Sequence, residues 1–428
     1  MSGKDRDRIA QLLDARLKEL RLRDGVLPSA PRRGKSPNPP AIGGASAKPD
    51  LESPRAGRTV ESIGGFFDPA ARLNAVSARA ARTGADSVLS DVPGMIECFR
   101  QRYPGRDVAE IIGREFETAT VAAGPDFIEV CRPTDMEVTV MSRSRAVTAI
   151  SSALWLLPGI REKVACELCG NGNATIDSLS SHHRFGSAAA RLLRTLDRGG
   201  AARVSAIISD RGGAAHPLNL AVTAWFEPRD FLFLDIETGG LFGGSPIVVA
   251  GLASACDPAR PGLAVVKILC ATTPDGEAEL VRRTVEEIEG HKVLVSFNGK
   301  SFDLPYVSQR AAYYGTVIRN DPFHLDLLGY SRRLFSGKTT DCRLSTLARE
   351  ILGMARDLDV PGSLVPCFYE NYLKEPARNA GLLAAIAIHN CYDMDQTVRL
   401  FHEHIKRLEG CGGVVDQEGA LAGSEGVE

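Results

Sequence analysis

No excess of basic charge marks this 428-residue chain: 51 Lys and Arg against 53 Asp and Glu leave a formal net charge of -2. That balance excludes a protein that grips nucleic acid by overall charge, so any phosphate contact must rest on local patches or on metal. A disulfide framework is also missing. The ten cysteines are scattered and only Cys166 and Cys169 stand close together, which points to a reducing, cytoplasmic setting. The N-terminus MSGKDRDRIAQLL carries charges where a signal peptide needs an apolar core. No run approaches the ~20 apolar residues of a membrane span. With 44% hydrophobic and 24% charged residues, the composition is that of a soluble globular protein, and the length predicts two or three domains.

What is present changes along the chain. Over residues 5–24, Ile9, Leu13, Leu17 and Leu20 recur at helical spacing among charges, an amphipathic helix suited either to solvent or to a protein partner. Residues 27–62 hold Pro28, Pro31, Pro37, Pro39, Pro40, Pro49 and Pro54 amid Gly, Ser and Arg, so 1–62 is expected to be a helix plus a disordered linker. Residues 63–226 are expected to form an α+β domain of unknown role. FETATVAA, DFIEVCR, EVTVMSR, VSAIISD and LNLAVTAWF have strand-like composition, and RAVTAISSALWLL and AAARLLRTLDR look helical. From 227 to 408 three strand-like runs precede alternating helix and strand, which predicts an α/β domain with a mixed sheet flanked by helices. The Gly-rich stretch 409–428 is expected to be a disordered tail.

Three segments of that last domain carry the chemistry. FLFLDIETGG (231–240) drives a buried strand into Asp235 and Glu237, which lie two apart and so share one face. Such a pair repels itself unless a cation or a proton intervenes, and Gly239, Gly240, Gly243 and Gly244 leave room for a substrate backbone. VSFNGKSFDLPYV (295–307) places Asp303 where a helix begins, a position also common in plain helix caps. AIAIHNCYDMDQTVRLF (385–401) puts His389 and Asp393 one helical turn apart. Each segment alone has a bland structural reading. Together they supply four carboxylates, the oxygen-rich set that two Mg²⁺ or Mn²⁺ ions prefer, and an imidazole able to take a proton near neutral pH.

In these motifs the chain resembles the DEDD exonuclease group of the ribonuclease H-like superfamily. More narrowly it is similar to the YprB-type ribonuclease H-like domain, with HLDLLGYSRRLF and CRLSTLAREILGMARDLDVPG as further signature runs. The resemblance covers about 227–408. It implies a ribonuclease H-like sheet, Asp235, Glu237, Asp303 and Asp393 as metal ligands, and His389 as general base. The implied activity is 3′→5′ hydrolysis of single-stranded DNA or RNA by two ions, with a non-catalytic nucleic-acid-binding module or a structure-specific endonuclease as alternatives. One spacing departs from the group: three residues separate His389 from Asp393, where histidine-type members keep four.

Other features carry less. The three Gly-Lys-Ser/Thr triplets at 34, 299 and 337 lack the preceding glycine of a phosphate loop. Cys166 and Cys169, followed by the adjacent His182 and His183, lack the spacing of a zinc site. Arg319, Arg332, Arg333, Lys338, Arg343, Arg349 and Arg356, with Tyr313, Tyr314, Tyr330 and Phe335, offer either a single-strand groove or a solvated helix face above core aromatics. Asp326 reads as an outer acid of the site or as a core-edge residue. Asp395 lies off the His389 face and is expected in solvent.

Overall fold

Strand β3 (Phe231–Thr238) is apolar on both sides until its last turn, as a strand covered on both faces must be. It lies inside a seven-stranded sheet of order β1-β2-β5-β4-β3-β6-β7. The other strands are β1 (Thr120–Ala123), β2 (Phe127–Glu137), β4 (Ile247–Ser254), β5 (Leu263–Ala271), β6 (Val293–Ser296) and β7 (Phe323–Asp326). β3 runs antiparallel to β4 and parallel to β6, and β6 runs parallel to β7. The computed structural model describes residues 92–240, 244–320, 322–356 and 359–410. The helix and linker expected over 1–62 lie outside them. So does the expected tail, apart from Glu409 and Gly410, which end the last helix.

Period-two alternation sorts β3 onto two cores. Phe231 and Phe233 face a large cluster that includes Leu382, Ile386, Val398 and Phe401 of the long helix. Leu232, Leu234 and Ile236 face a second cluster with Leu280, Val281, Tyr306 and Val307. In chain order the helices before β3 are α1 (Val92–Arg102), α2 (Val108–Glu115), α3 (Arg143–Ser152), α4 (Glu162–Gly170), α5 (Gly186–Arg198) and α6 (Ala201–Gly212). After β3 come α7 (Glu277–Gly290), α8 (Asp303–Tyr313), α9 (Leu327–Phe335), α10 (Leu344–Glu350), α11 (Val365–Lys374) and α12 (Pro376–Gly410). Helices α7 and α8 cover one face of the sheet, and α12 crosses the other. Between α7 and α8 a buried ion pair locks the packing. Glu277 accepts from Arg310 Nε at 2.6 Å and Nη2 at 2.5 Å, from Tyr314 Oη at 2.8 Å and from Ile247 N at 2.8 Å.

Several expectations before residue 227 are corrected. β1 and β2 are not part of a separate domain: β2 pairs with β5, so the boundary expected at 226/227 runs through one sheet. The described residues all fall in one compact unit, 66–428. DFIEVCR and the start of EVTVMSR form a single strand that shifts register between Pro133 and Glu137. VSAIISD lies in helix α6, because Ala201, Val204 and Ile208 are the buried positions and their spacing is helical. LNLAVTAWF falls in a 3₁₀ segment, Pro217–Trp225, buried at every residue through Thr223. An apolar run with no period to read is a poor guide to its own conformation.

Candidate metal and catalytic site

The site is built at the C-terminal ends of the parallel pair β3 and β6, where open α/β sheets leave a crevice. The alternation that sends Phe231 and Phe233 toward α12 sends Asp235 and Glu237 the same way. Asp235 stands opposite Gly251 of β4. The missing side chain there admits Asn390: a Cβ on Gly251 would lie 2.2 Å from Asn390 Oδ1. Asn390 Nδ2 in turn donates to Asp235 Oδ2 at 2.7 Å.

After β6 the chain turns through Asn298, whose φ of 71° is the left-handed conformation that asparagine tolerates better than most residues. Asp326 holds this turn, accepting from Asn298 N at 2.8 Å and Lys300 N at 3.1 Å. It also caps α9 through Leu328 N. These bonds go to the turn after β6 and to the start of α9 rather than to any of the site acids. Asp303 follows as the first residue of α8, with Phe302 at the cap position. Its carboxylate reaches back to β3, accepts from Ile236 N at 2.9 Å and is 4% exposed. It is therefore more than a helix cap.

Helix α12 supplies the rest. His389 Nε2 lies 3.4 Å from Glu237 Oε1 and 3.2 Å from Asp393 Oδ2, while its Nδ1 is 2.5 Å from Asp359 Oδ1. Arg356 Nη2 donates to Asp393 Oδ1 at 2.5 Å, and Nη1 to Asp359 Oδ1 at 2.9 Å. Among the described residues, Glu237, His389 and Asp393 form a group whose ligand atoms all lie within 4.8 Å of one another.

Burial and crowding dominate the electrostatics. Burial raises Asp235 well above the usual carboxylate range, and Asp303, Asp393 and Glu237 add to it by repulsion. Glu237 is raised by burial although His389 opposes the rise. Burial pushes Asp303 up to about 7. Burial alone would lower His389, but Asp393, Asp359 and Glu237 outweigh it and hold the imidazole well above its ordinary value. Buried carboxylates that resist ionisation in each other's company are the donor set a divalent cation stabilises, so the residues fit such an ion.

The motifs therefore bring all five expected residues into one electrostatic neighbourhood. Asp359, Asn390 and Gly251 were missed. Asn390 stood inside the quoted helix motif and Asp359 inside a quoted signature run, yet neither had a spacing that announced a role. The basic group divides. Arg356 joins the site at 13% side-chain exposure, and Arg333 donates to Gly212 O. Tyr330 and Phe335 are core, whereas Tyr313 is 71% exposed. Asp395, expected in solvent, is largely covered and pairs with Arg132 of β2. Cys166 and Cys169 are both exposed on α4 and join no metal-ligand group among the described residues.

Comparison with known proteins bears on the fold that carries these residues. Residues 232–405 match the family model described as the RNase_H superfamily. The chain is 30% identical over 201 residues to "Uncharacterized protein YprB" of Bacillus subtilis (strain 168), which is 46% of this chain and 47% of that protein. It thus matches about half the length of that curated relative. A family B DNA polymerase from the archaeon Pyrobaculum calidifontis aligns over 69% of this chain and 46% of its own, with 14% identity and a TM-score of 0.33, too slight a likeness to build on. The matched segment is a ribonuclease H-like domain, a nuclease-type fold. Within that superfamily it is of the YprB type. No helix among the described residues is long and apolar enough to cross a membrane.

Proposed function

We propose that the chain is a metal-dependent nuclease that removes nucleotides from the 3′ end of single-stranded DNA or RNA, using two Mg²⁺ or Mn²⁺ ions. One observation carries this reading: Asp235, Glu237, Asp303 and Asp393 converge from three separate segments on the end of β3, largely covered and mutually repelling. A pair of divalent ions held by these carboxylates would stabilise charge on the attacking and leaving oxygens of a phosphodiester. The chain's own part is to hold that donor set still. Asn390 fixes Asp235, Ile236 N fixes Asp303 and Arg356 fixes Asp393, each through one carboxylate oxygen. His389, expected as the base, stands among the ligands with Nε2 toward Glu237 and Asp393. The strand polarity and the single-stranded substrate rest on the resemblance to the DEDD group.

Linear and circular single-stranded DNA, incubated with the protein and Mn²⁺, separate the alternatives. An exonuclease shortens only the linear form, whereas cutting of the circle would make the protein an endonuclease. Retarded migration without any cleavage would leave a binding module and overturn the hydrolytic reading.

A further inference from the structure

A general base needs its free nitrogen turned to the water it deprotonates, and the surroundings of His389 fit another task better. We propose that His389 is itself a metal ligand, completing a mixed nitrogen and oxygen site with Glu237 and Asp393 that favours Mn²⁺, Co²⁺ or Zn²⁺ over Mg²⁺. This rests on the metal-dependent reading above and replaces the base role for His389.

The geometry fits ligation. Nε2 is 3.4 Å from Glu237 Oε1 and 3.2 Å from Asp393 Oδ2, so a cation taking both oxygens has the imidazole nitrogen beside it. The ligand atoms of all three residues lie within 4.8 Å of one another, a spread that one ion with bonds of about 2.0–2.3 Å can bridge. The side chains are 11%, 12% and 17% exposed, sheltered yet reachable. Each of the two helical groups also has an outer partner. Asp359 Oδ1 lies 2.5 Å and Arg356 Nη1 3.1 Å from Nδ1, so the chain occupies that nitrogen and Nε2 is the one turned to Glu237 and Asp393. Arg356 takes Asp393 Oδ1 and also bonds Asp359, bracing ligand and outer carboxylate together. A carboxylate on the far nitrogen is the usual support of a metal-bound histidine.

The donor set decides the metal. Carboxylates alone suit Mg²⁺, whereas an imidazole adds affinity for first-row transition ions. The spacing that departs from histidine-type exonucleases has the same consequence. With three residues between His389 and Asp393, both fall on one helix face and meet the same ion.

Pulsed electron paramagnetic resonance of the full chain loaded with one equivalent of Mn²⁺ tests this directly. Echo modulation from a coordinated ¹⁴N nucleus is expected, and it should vanish in His389→Gln. By calorimetry His389→Gln should lose about tenfold or more in Mn²⁺ affinity with Mg²⁺ affinity changed less than about twofold. Asp359→Asn should keep the nitrogen signal while weakening Mn²⁺ by roughly 10–100-fold. Bound Mn²⁺ with no nitrogen modulation in the unaltered protein overturns the ligand role and leaves the nuclease reading intact. Failure of the unaltered protein to bind Mn²⁺ overturns both.

Discussion

Replacing Asp303 with Asn keeps the size of the side chain and an oxygen that can accept from Ile236 N, but removes a charge that its surroundings oppose. Burial raises this carboxyl from an ordinary 3.8 to about 7. The buried site thus prefers the protonated acid. Its stabilising contribution is complete below the unfolded value and is lost as pH climbs through about 7. At ~1.4 kcal/mol for each tenfold change in the protonation equilibrium, holding the ionised form in the metal-free protein costs about 4 kcal/mol at pH 8. At pH 5 that cost is under about 2 kcal/mol, because the native carboxyl is still protonated. Asp303→Asn should therefore make the metal-free protein more stable than its parent, with a gap that widens by roughly 2–3 kcal/mol from pH 5 to pH 8. At ~2 °C per kcal/mol, the difference in melting temperature should grow by about 5 °C across that range. Added Mn²⁺ should reverse the order at pH 8, since it stabilises only a chain that binds it. Thermal unfolding at both pH values, with chelator and with Mn²⁺, measures all of this. A variant that is less stable at pH 8 without metal, or a gap that stays constant with pH, would refute the claim that burial of charge strains this site.

Three further perturbations probe the supports around the acids. Gly251→Ala puts a methyl group 2.2 Å from Asn390 Oδ1, and so should cost about 1–3 kcal/mol and weaken Mn²⁺ binding through Asp235. Unchanged affinity in calorimetry would show that Asn390 does not set that ligand. Asp326→Ala removes the acceptor for Asn298 N, Lys300 N and Leu328 N and should destabilise by roughly 1–3 kcal/mol, with a loss of metal affinity. A chain that melts normally and binds Mn²⁺ normally would deny the turn its role. Glu277→Ala strands Arg310, 6% exposed, without its carboxylate, and should cost about 3–5 kcal/mol. A shift in melting temperature of less than about 2 °C would mean that the pair contributes little.

How far the site was legible depended on the range of the interactions. The alternation of FLFLDIET fixed the faces of Asp235 and Glu237, and one helical turn joined His389 to Asp393, because both rules are local to the chain. That Asp303 would turn back to the β3 backbone required knowing that β6 lies parallel to β3. Arg356 was grouped with a candidate nucleic-acid groove and Asp359 was passed over, because their roles depend on meeting a helix some thirty residues on. Asp395 was misjudged for the same reason: its partner Arg132 is on β2, a strand assigned to another domain. Residues 204–226 failed differently. VSAIISD and LNLAVTAWF were read as strands from their apolar content, while Ala201, Val204 and Ile208 carried a helical period and the run from Leu218 had no period to read.

The central claim is that the acids at the end of β3 form a hydrolytic metal site. It is tested most directly by incubating 3′- and 5′-end-labelled single-stranded DNA and RNA with the purified protein and Mn²⁺, beside Asp235→Asn. Stepwise shortening from the 3′ end is expected, with a loss of roughly a hundredfold or more in the folded variant. Labelled strands that stay intact with the unaltered protein, or equal cleavage by Asp235→Asn, would contradict it.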